Sequence, residues 1–256
     1  VENSTTFVVV NVTVSDADGA SDINATSVNI TVRDNALGES HWNSSYCFER
    51  SGESNASSKN FTCAVEMFYF DVDGAWNITI TATDKGNGTN VSINNQTFYY
   101  KQLKAIVIKP ASLTWPSVTP GNTNKTSNND PTSINNTGNY NATGRVNITG
   151  INMFGTSDAT KYLDVGNFSA SIVTGDSCSG DACSECGALA NSTLLVNGTS
   201  KAIANVTLNK GNLSATGGTS NESIFYCLIN VPTSIPSQTY DTSWSASSGS
   251  WTISIW

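Results

Sequence analysis

Short runs in which β-branched residues alternate with asparagine and threonine constrain this chain more than any other feature. Val10-Asn11-Val12-Thr13-Val14, Val28-Asn29-Ile30-Thr31-Val32, Asn77-Ile78-Thr79-Ile80-Thr81, Val146-Asn147-Ile148-Thr149 and Asn205-Val206-Thr207-Leu208 all repeat with a period of two. That period is the mark of a half-buried strand, with Asn and the Thr two residues on sharing one face and Val and Ile the other. A row of such strands makes a sheet with a polar outer face and an apolar inner one, the pattern of antiparallel sheets that cover a core on one side. No sustained apolar period of a helix competes with it, so the chain is expected to be all-β with almost no helix.

The same asparagines carry a second signal. Of the 31 asparagines, 21 stand in Asn-x-Ser/Thr with x other than proline. Ser and Thr number 66 of 256 residues, and chance would then give roughly eight such sites, so the excess reads as N-glycosylation acceptors of an exported protein. The candidate sites are Asn3, Asn11, Asn24, Asn29, Asn43, Asn55, Asn60, Asn77, Asn87, Asn90 and Asn95 in the first part of the chain. They continue as Asn124, Asn135, Asn141, Asn147, Asn167, Asn191, Asn197, Asn205, Asn212 and Asn221. Pure decoration of an outer sheet face is the plain alternative, but positions such as Asn43, Asn55, Asn124 and Asn197 fall in turns rather than strands.

Charge narrows the partners. Charged residues are 12% of the chain, about half the usual quarter, and the net charge is −8. Twelve scattered Lys and Arg make no basic patch, which argues against nucleic acid and anionic lipid surfaces. No apolar stretch is long enough to span a membrane. The chain opens at Val1 without a leader pattern, as expected of a processed or excised secreted chain.

Six cysteines, an even number, fit an oxidising compartment. Cys47 and Cys63 are expected to staple neighbouring strands. Cys178, Cys183, Cys186 and Cys227 allow three pairings, of which Cys178–Cys183 and Cys186–Cys227 are favoured. Cys183-x-x-Cys186 has zinc-like spacing, but the single histidine, His41, is far off in sequence, and disulfides are the better reading outside a cell. Asp16, Asp18 and Asp22, with Asp71 and Asp73 behind them, have calcium-like spacing. Neither group completes a known calcium loop, and Asp-Gly is also the commonest hairpin turn signal. No cofactor is expected beyond N-linked glycans.

One histidine, expected to sit solvated in a polar loop beside Trp42, leaves little for nucleophilic catalysis, and phosphate-loop patterns are missing, so the chain is not expected to be an enzyme. Trp76 opens a strand and reads as core, while Trp244, Trp251 and Trp256 suit either a core or a binding surface.

Two domains are expected. Residues 1–103 show strands near 7–14, 26–33, 45–50, 61–71, 76–83 and 91–101, punctuated by Asp18-Gly19, Asp73-Gly74 and Asn87-Gly88. Residues 104–256 open on Ala105-Ile106-Val107-Ile108, pass through a long polar loop near 120–144, and resume as strands at 145–152, 167–174, 192–196, 202–208, 224–231 and 250–256.

Val12-Thr13-Val14-Ser15-Asp16-Ala17-Asp18-Gly19, Ser21-Asp22-Ile23 and Trp76-Asn77-Ile78-Thr79 resemble the tandem immunoglobulin-like domains of archaeal cell-surface glycoproteins, particularly those of small-genome archaea. In the second half, Leu113-Thr114-Trp115-Pro116, Asn136-Thr137-Gly138-Asn139, Tyr240 and Trp251-Thr252-Ile253 carry the same likeness. The resemblance implies two tandem immunoglobulin-like β-sandwiches on the outside of an archaeal envelope, with no catalytic residues to transfer. The function expected on this basis is a glycosylated structural subunit that assembles with itself into a filament or surface layer. An adhesin or carbohydrate-binding module, meeting other cell-surface glycans or cells, is the alternative. Because Phe7-Val8-Val9-Val10-Asn11-Val12 lies so near the start and Ser250–Trp256 so near the end, assembly by donation of a terminal strand to a neighbour is a further expectation.

Overall fold

The computed structural model describes residues 2, 4–42, 47–86, 89–172, 192–211, 220–243 and 249–256, apart from the side chains of Ser51 and of 89–95. These residues are all-β, built from several antiparallel sheets in a sandwich-like arrangement, with 3-10 turns and no α-helix among them. The chain divides into two compact units: 1–103 with Gly138–Tyr140, and 104–137 with 141–256.

In the first unit, β1 (Thr5–Ser15) pairs along its whole length with β5 (Ser58–Phe68), which also pairs with β4 (Phe48–Glu49). A second sheet runs β3 (Ser40–Trp42), β2 (Asn29–Asp34), β6 (Gly74–Thr83), β7 (Thr89–Tyr100). Alternation sorts the faces. Ile30, Val32, Phe61, Val65, Met67 and Trp76 are sealed in the core, while the polar residues between them face out. From β1, Val8, Val10, Val12 and Val14 pack on that core but remain half-exposed, and among the described residues no strand covers the free edge of β1.

Cys47 and Cys63 form a disulfide across the β4–β5 side of the first sheet, 16 residues apart in sequence. The other favoured pairs, Cys178–Cys183 and Cys186–Cys227, involve positions 178, 183 and 186, which lie outside the described residues. Closing a loop of this length restricts the unfolded chain. Reduction of the Cys47–Cys63 bond is expected to lower the free energy of unfolding by about 3 kcal/mol in denaturant titrations.

In the second unit, β17 (Asn221–Asn230) is the central strand. It pairs with β14 (Phe168–Ser171) on one side and with β10 (Thr132–Asn136) and β9 (Thr123–Thr126) on the other. β15 (Ser192–Leu194) and β8 (Ile106–Lys109) extend the sheet at its two edges. The region expected to be a long loop near 120–144 thus contains two strands. Their polar composition (Thr-Asn-Lys-Thr and Thr-Ser-Ile-Asn-Asn) hid them from a reading based on apolar alternation. Smaller sheets join β11 (Val146–Thr149) to β16 (Ser200–Ala202) and β19 (Thr252–Ile255), and β12 (Met153–Gly155) to β13 (Tyr162–Leu163) and β18 (Tyr240–Asp241).

Both terminal strands pair within their own chain, β1 with β5 and β19 with β11.

The second core gathers Phe168 and Tyr226 from the large sheet around Trp251, with ring centroids 5.2 Å and 6.4 Å from it. Burial pushes the Tyr226 phenol up to about 12, with Thr132 beside it opposing and the Asp130 carboxylate adding to the rise. A phenol raised in this way holds its proton more tightly folded than unfolded. Its contribution is whole below the ordinary value of 10.0 and is lost as pH climbs through about 12. Thermal unfolding followed across this window should show falling stability, and Tyr226→Phe should remove about 2–3 kcal/mol of that fall.

Candidate functional site: the sequon-bearing faces

Sequence and structure converge on the outer faces of the sheets. Asn3, Asn43, Asn87, Asn191 and Asn212 lie outside the described residues; Asn90 and Asn95 are placed in β7, but their side chains are not described. The remaining 14 sequon asparagines are all at least partly solvent-exposed. Asn11, Asn55, Asn135, Asn141, Asn197, Asn205 and Asn221 are exposed, and Asn24, Asn29, Asn60, Asn77, Asn124, Asn147 and Asn167 are half-buried. By contrast, the two asparagines sealed in the interior among the described residues, Asn136 at 1% and Asn139 at 2% exposure, both stand outside sequons.

The interior pair shows what a buried asparagine must do here. Asn136 Nδ2 donates to the Asn209 carbonyl at 2.7 Å. Asn139 Oδ1 accepts from Leu103 N, and its Nδ2 donates to the Asp71 and Lys101 carbonyls at 2.9 and 3.1 Å. Buried amides satisfy backbone groups because leaving them unpaired costs on the order of 1–3 kcal/mol. Such sites have no room for a sugar.

Several sequon asparagines hold turns through their oxygen and present the rest of the side chain outward. Asn24 caps a 3-10 turn by accepting from Thr26 N, Asn55 accepts from Ser57 N and Ser58 N, and Asn141 accepts from Thr143 N. Asn124 and Asn205 take left-handed backbone angles, φ 51° and 59°, which asparagine tolerates better than most residues.

The carboxylate cluster expected from spacing is present: ligand oxygens of Asp16, Asp18 and Asp22 lie within 4.8 Å of one another. The local bonds are those of a turn. Asp16 Oδ1 accepts from Asp18 N at 2.8 Å, and Gly19 at φ +112° carries the chain round. An acidic triad alone does not make a metal site. Chelation with EDTA is expected to leave the melting temperature unchanged, and a fall restored by calcium would show that the triad binds it.

Asp71 and Asp73 do not form a second acidic cluster. Asp71 is buried at 2% exposure, accepts from Phe68 N, and faces His41 Nε2 at 3.0 Å, a contact short of hydrogen-bond alignment. His41 itself is not in a solvated loop. It lies in β3, between Phe68 and Trp76, each ring 5.6 Å away. Its environment is a core seam, with Glu39 accepting from Val72 N and Tyr100 Oη donating to the Phe68 carbonyl alongside.

A cleft of about 1050 Å³ in the second unit is lined by Trp115, Phe168, Tyr226, Tyr240 and Trp251 among others. The rings meet one another edge-on, Trp115 to Phe168 at 5.0 Å and Phe168 to Trp251 at 5.2 Å. Edge-to-face contacts of this kind are how aromatic rings pack with one another. Trp244 lies outside the described residues. Among the described residues the exposed tryptophans are Trp42, in the first unit, and Trp256, in the second.

Compared with known proteins, the chain matches no protein-family model and no curated sequence. No helix among the described residues is long and apolar enough to cross a membrane.

Proposed function

We propose that this protein is a heavily N-glycosylated structural subunit of an archaeal cell surface, built from immunoglobulin-like sandwiches and assembling with itself into a filament or layer. The observation that carries the reading is the sorting of asparagines: none of the 14 described sequon asparagines is fully buried, and both sealed ones lie outside sequons. Patterning of an outer sheet face accounts for the strand asparagines alone; Asn55, Asn141 and Asn197 are exposed in turns, where such patterning has no part.

The strand order of the first unit supports the immunoglobulin-like assignment. Its sheets, β1-β5-β4 and β3-β2-β6-β7, correspond to the strand sets B-E-D and C′-C-F-G of that fold. The cystine departs from it, tying neighbours on one sheet where antibody domains bridge the two. The place of strand A is the open edge of β1. That edge runs 11 residues without Lys, Glu or Pro, the devices that usually blunt such edges, and it shows Phe7 and Val9 to solvent. It is a natural place for one subunit to meet another. Sugar over the outer faces would hydrate a surface poor in charge and hinder proteases.

Negative-stain microscopy of native material should show fibres or a lattice. Dispersed single particles at all concentrations would remove the assembly half of the proposal, and binding to arrayed glycans in that state would favour an adhesin.

A further inference from the structure

The sequons do not sit independently; the strand register brings some of them face to face. In the first unit Asn11-Val12-Thr13 of β1 and Asn60-Phe61-Thr62 of β5 run antiparallel in register, Asn11 opposite Thr62 and Thr13 opposite Asn60. Each threonine serves the other sequon. Thr62 Oγ1 donates to Asn11 Oδ1 at 2.8 Å, and Thr13 Oγ1 donates to Asn60 Oδ1 at 2.6 Å.

The oxygens of the two asparagines are therefore used alike, but their nitrogens are not. Asn60 Nδ2, the atom a sugar would occupy, donates to the Glu53 carbonyl at 2.6 Å, and the residue is half-buried. Asn11 is exposed, and among the described residues no hydrogen bond engages its Nδ2. A glycan on Asn60 leaves one N–H for the Glu53 contact and must fit beside it in a half-buried setting, whereas exposed Asn11 offers its whole amide.

In the second unit the geometry is tighter. Asn135 of β10 lies directly opposite Asn221 of β17, both are exposed, and both head sequons. Ser133 Oγ donates to Asn221 Oδ1 at 2.8 Å and holds that side chain over the strand pair. Residues directly opposite on one face have Cβ atoms about 4.5–5.5 Å apart. A pyranose ring with its hydroxyls fills that spacing, so the first sugars on the two asparagines would compete for one volume.

Attachment is a substitution at the sugar. The amide nitrogen bonds to the anomeric carbon of a lipid-phosphate-linked oligosaccharide, the carbon–oxygen bond to phosphate breaks, and the lipid phosphate leaves with the electron pair. One amide proton passes to a base of the transferase. The acceptor nitrogen must therefore be reachable, and the space above it must be clear.

We propose that cross-strand pairing selects among the sequons: Asn11 rather than Asn60 carries sugar in the first unit, and Asn135 and Asn221 carry one glycan between them in the second. This rests on the reading of the chain as an N-glycoprotein.

Site-resolved mass spectrometry of the native protein tests it. The expected result is sugar on Asn11 with Asn60 bare, and fractional occupancies of Asn135 and Asn221 that sum to no more than one glycan per molecule. Asn60 modified as fully as Asn11, or a sum above one, overturns the inference while leaving the glycoprotein reading intact. Sugar at none of the sequons overturns both. In a glycosylating host, Ser223→Ala removes the Asn221 acceptor while keeping the asparagine. Occupancy at Asn135 should then rise to the total the pair held before. No rise, in this variant or in Asn221→Gln should the first fail to fold, counts against the shared volume.

Discussion

Register between neighbouring strands is the constraint on which the rest of this structure depends. Along β1 and β5, Val8, Val10 and Val12 lie opposite Val65, Cys63 and Phe61 on the core face, while Asn11 and Thr13 lie opposite Thr62 and Asn60 on the outer face. Because side chains alternate with a period of two, a slip of one residue would send the valines to solvent and the asparagines into the core. Burying those amides unpaired would cost far more than any local rearrangement could recover. The same pairing that closes the core therefore sets which asparagines reach solvent and which of them face each other.

Four buried polar side chains, Asp34, Asp71, Asn136 and Asn139, bond to backbone groups. Asp34, 2% exposed, accepts from the backbone nitrogens of Ala36, Leu37 and Gly38 and so ties down the turn after β2. Asp71 does the same for Phe68, and Asn136 and Asn139 satisfy carbonyls of neighbouring segments. These four side chains each bond to backbone in a turn, a strand end or a connection, which is how irregular segments are held in a fold with few charges.

Strand existence was legible in β1, β2, β6 and β11, where β-branched residues alternate, and so was the core position of Trp76; the alternating run Asn205-Val206-Thr207-Leu208, expected as part of a strand over 202–208, is not one, since β16 ends at Ala202 and the chain turns through 204–205. The linkage of Cys47 to Cys63 was readable from their place in the chain, since the intervening stretch is polar and turn-rich. Polar strands were not legible. β9 and β10 lack an apolar face long enough to signal, and they exist because β17 and β8 supply their hydrogen bonds. His41 was misplaced for a related reason: its neighbours in sequence are polar, and its partners Phe68, Asp71 and Trp76 come from elsewhere in the chain.

By itself the sequence determined the face each residue takes and the chemistry those faces carry, because the period of two and the sequon are both written within a few residues. Tertiary structure alone decided which sequons meet. Asn135 and Asn221 are 86 positions apart yet directly opposite, and Asn11 and Asn60 share hydroxyls across strands joined through half a domain. Pairing at that distance depends on which strands the cores of the two units bring together, and no local pattern records it.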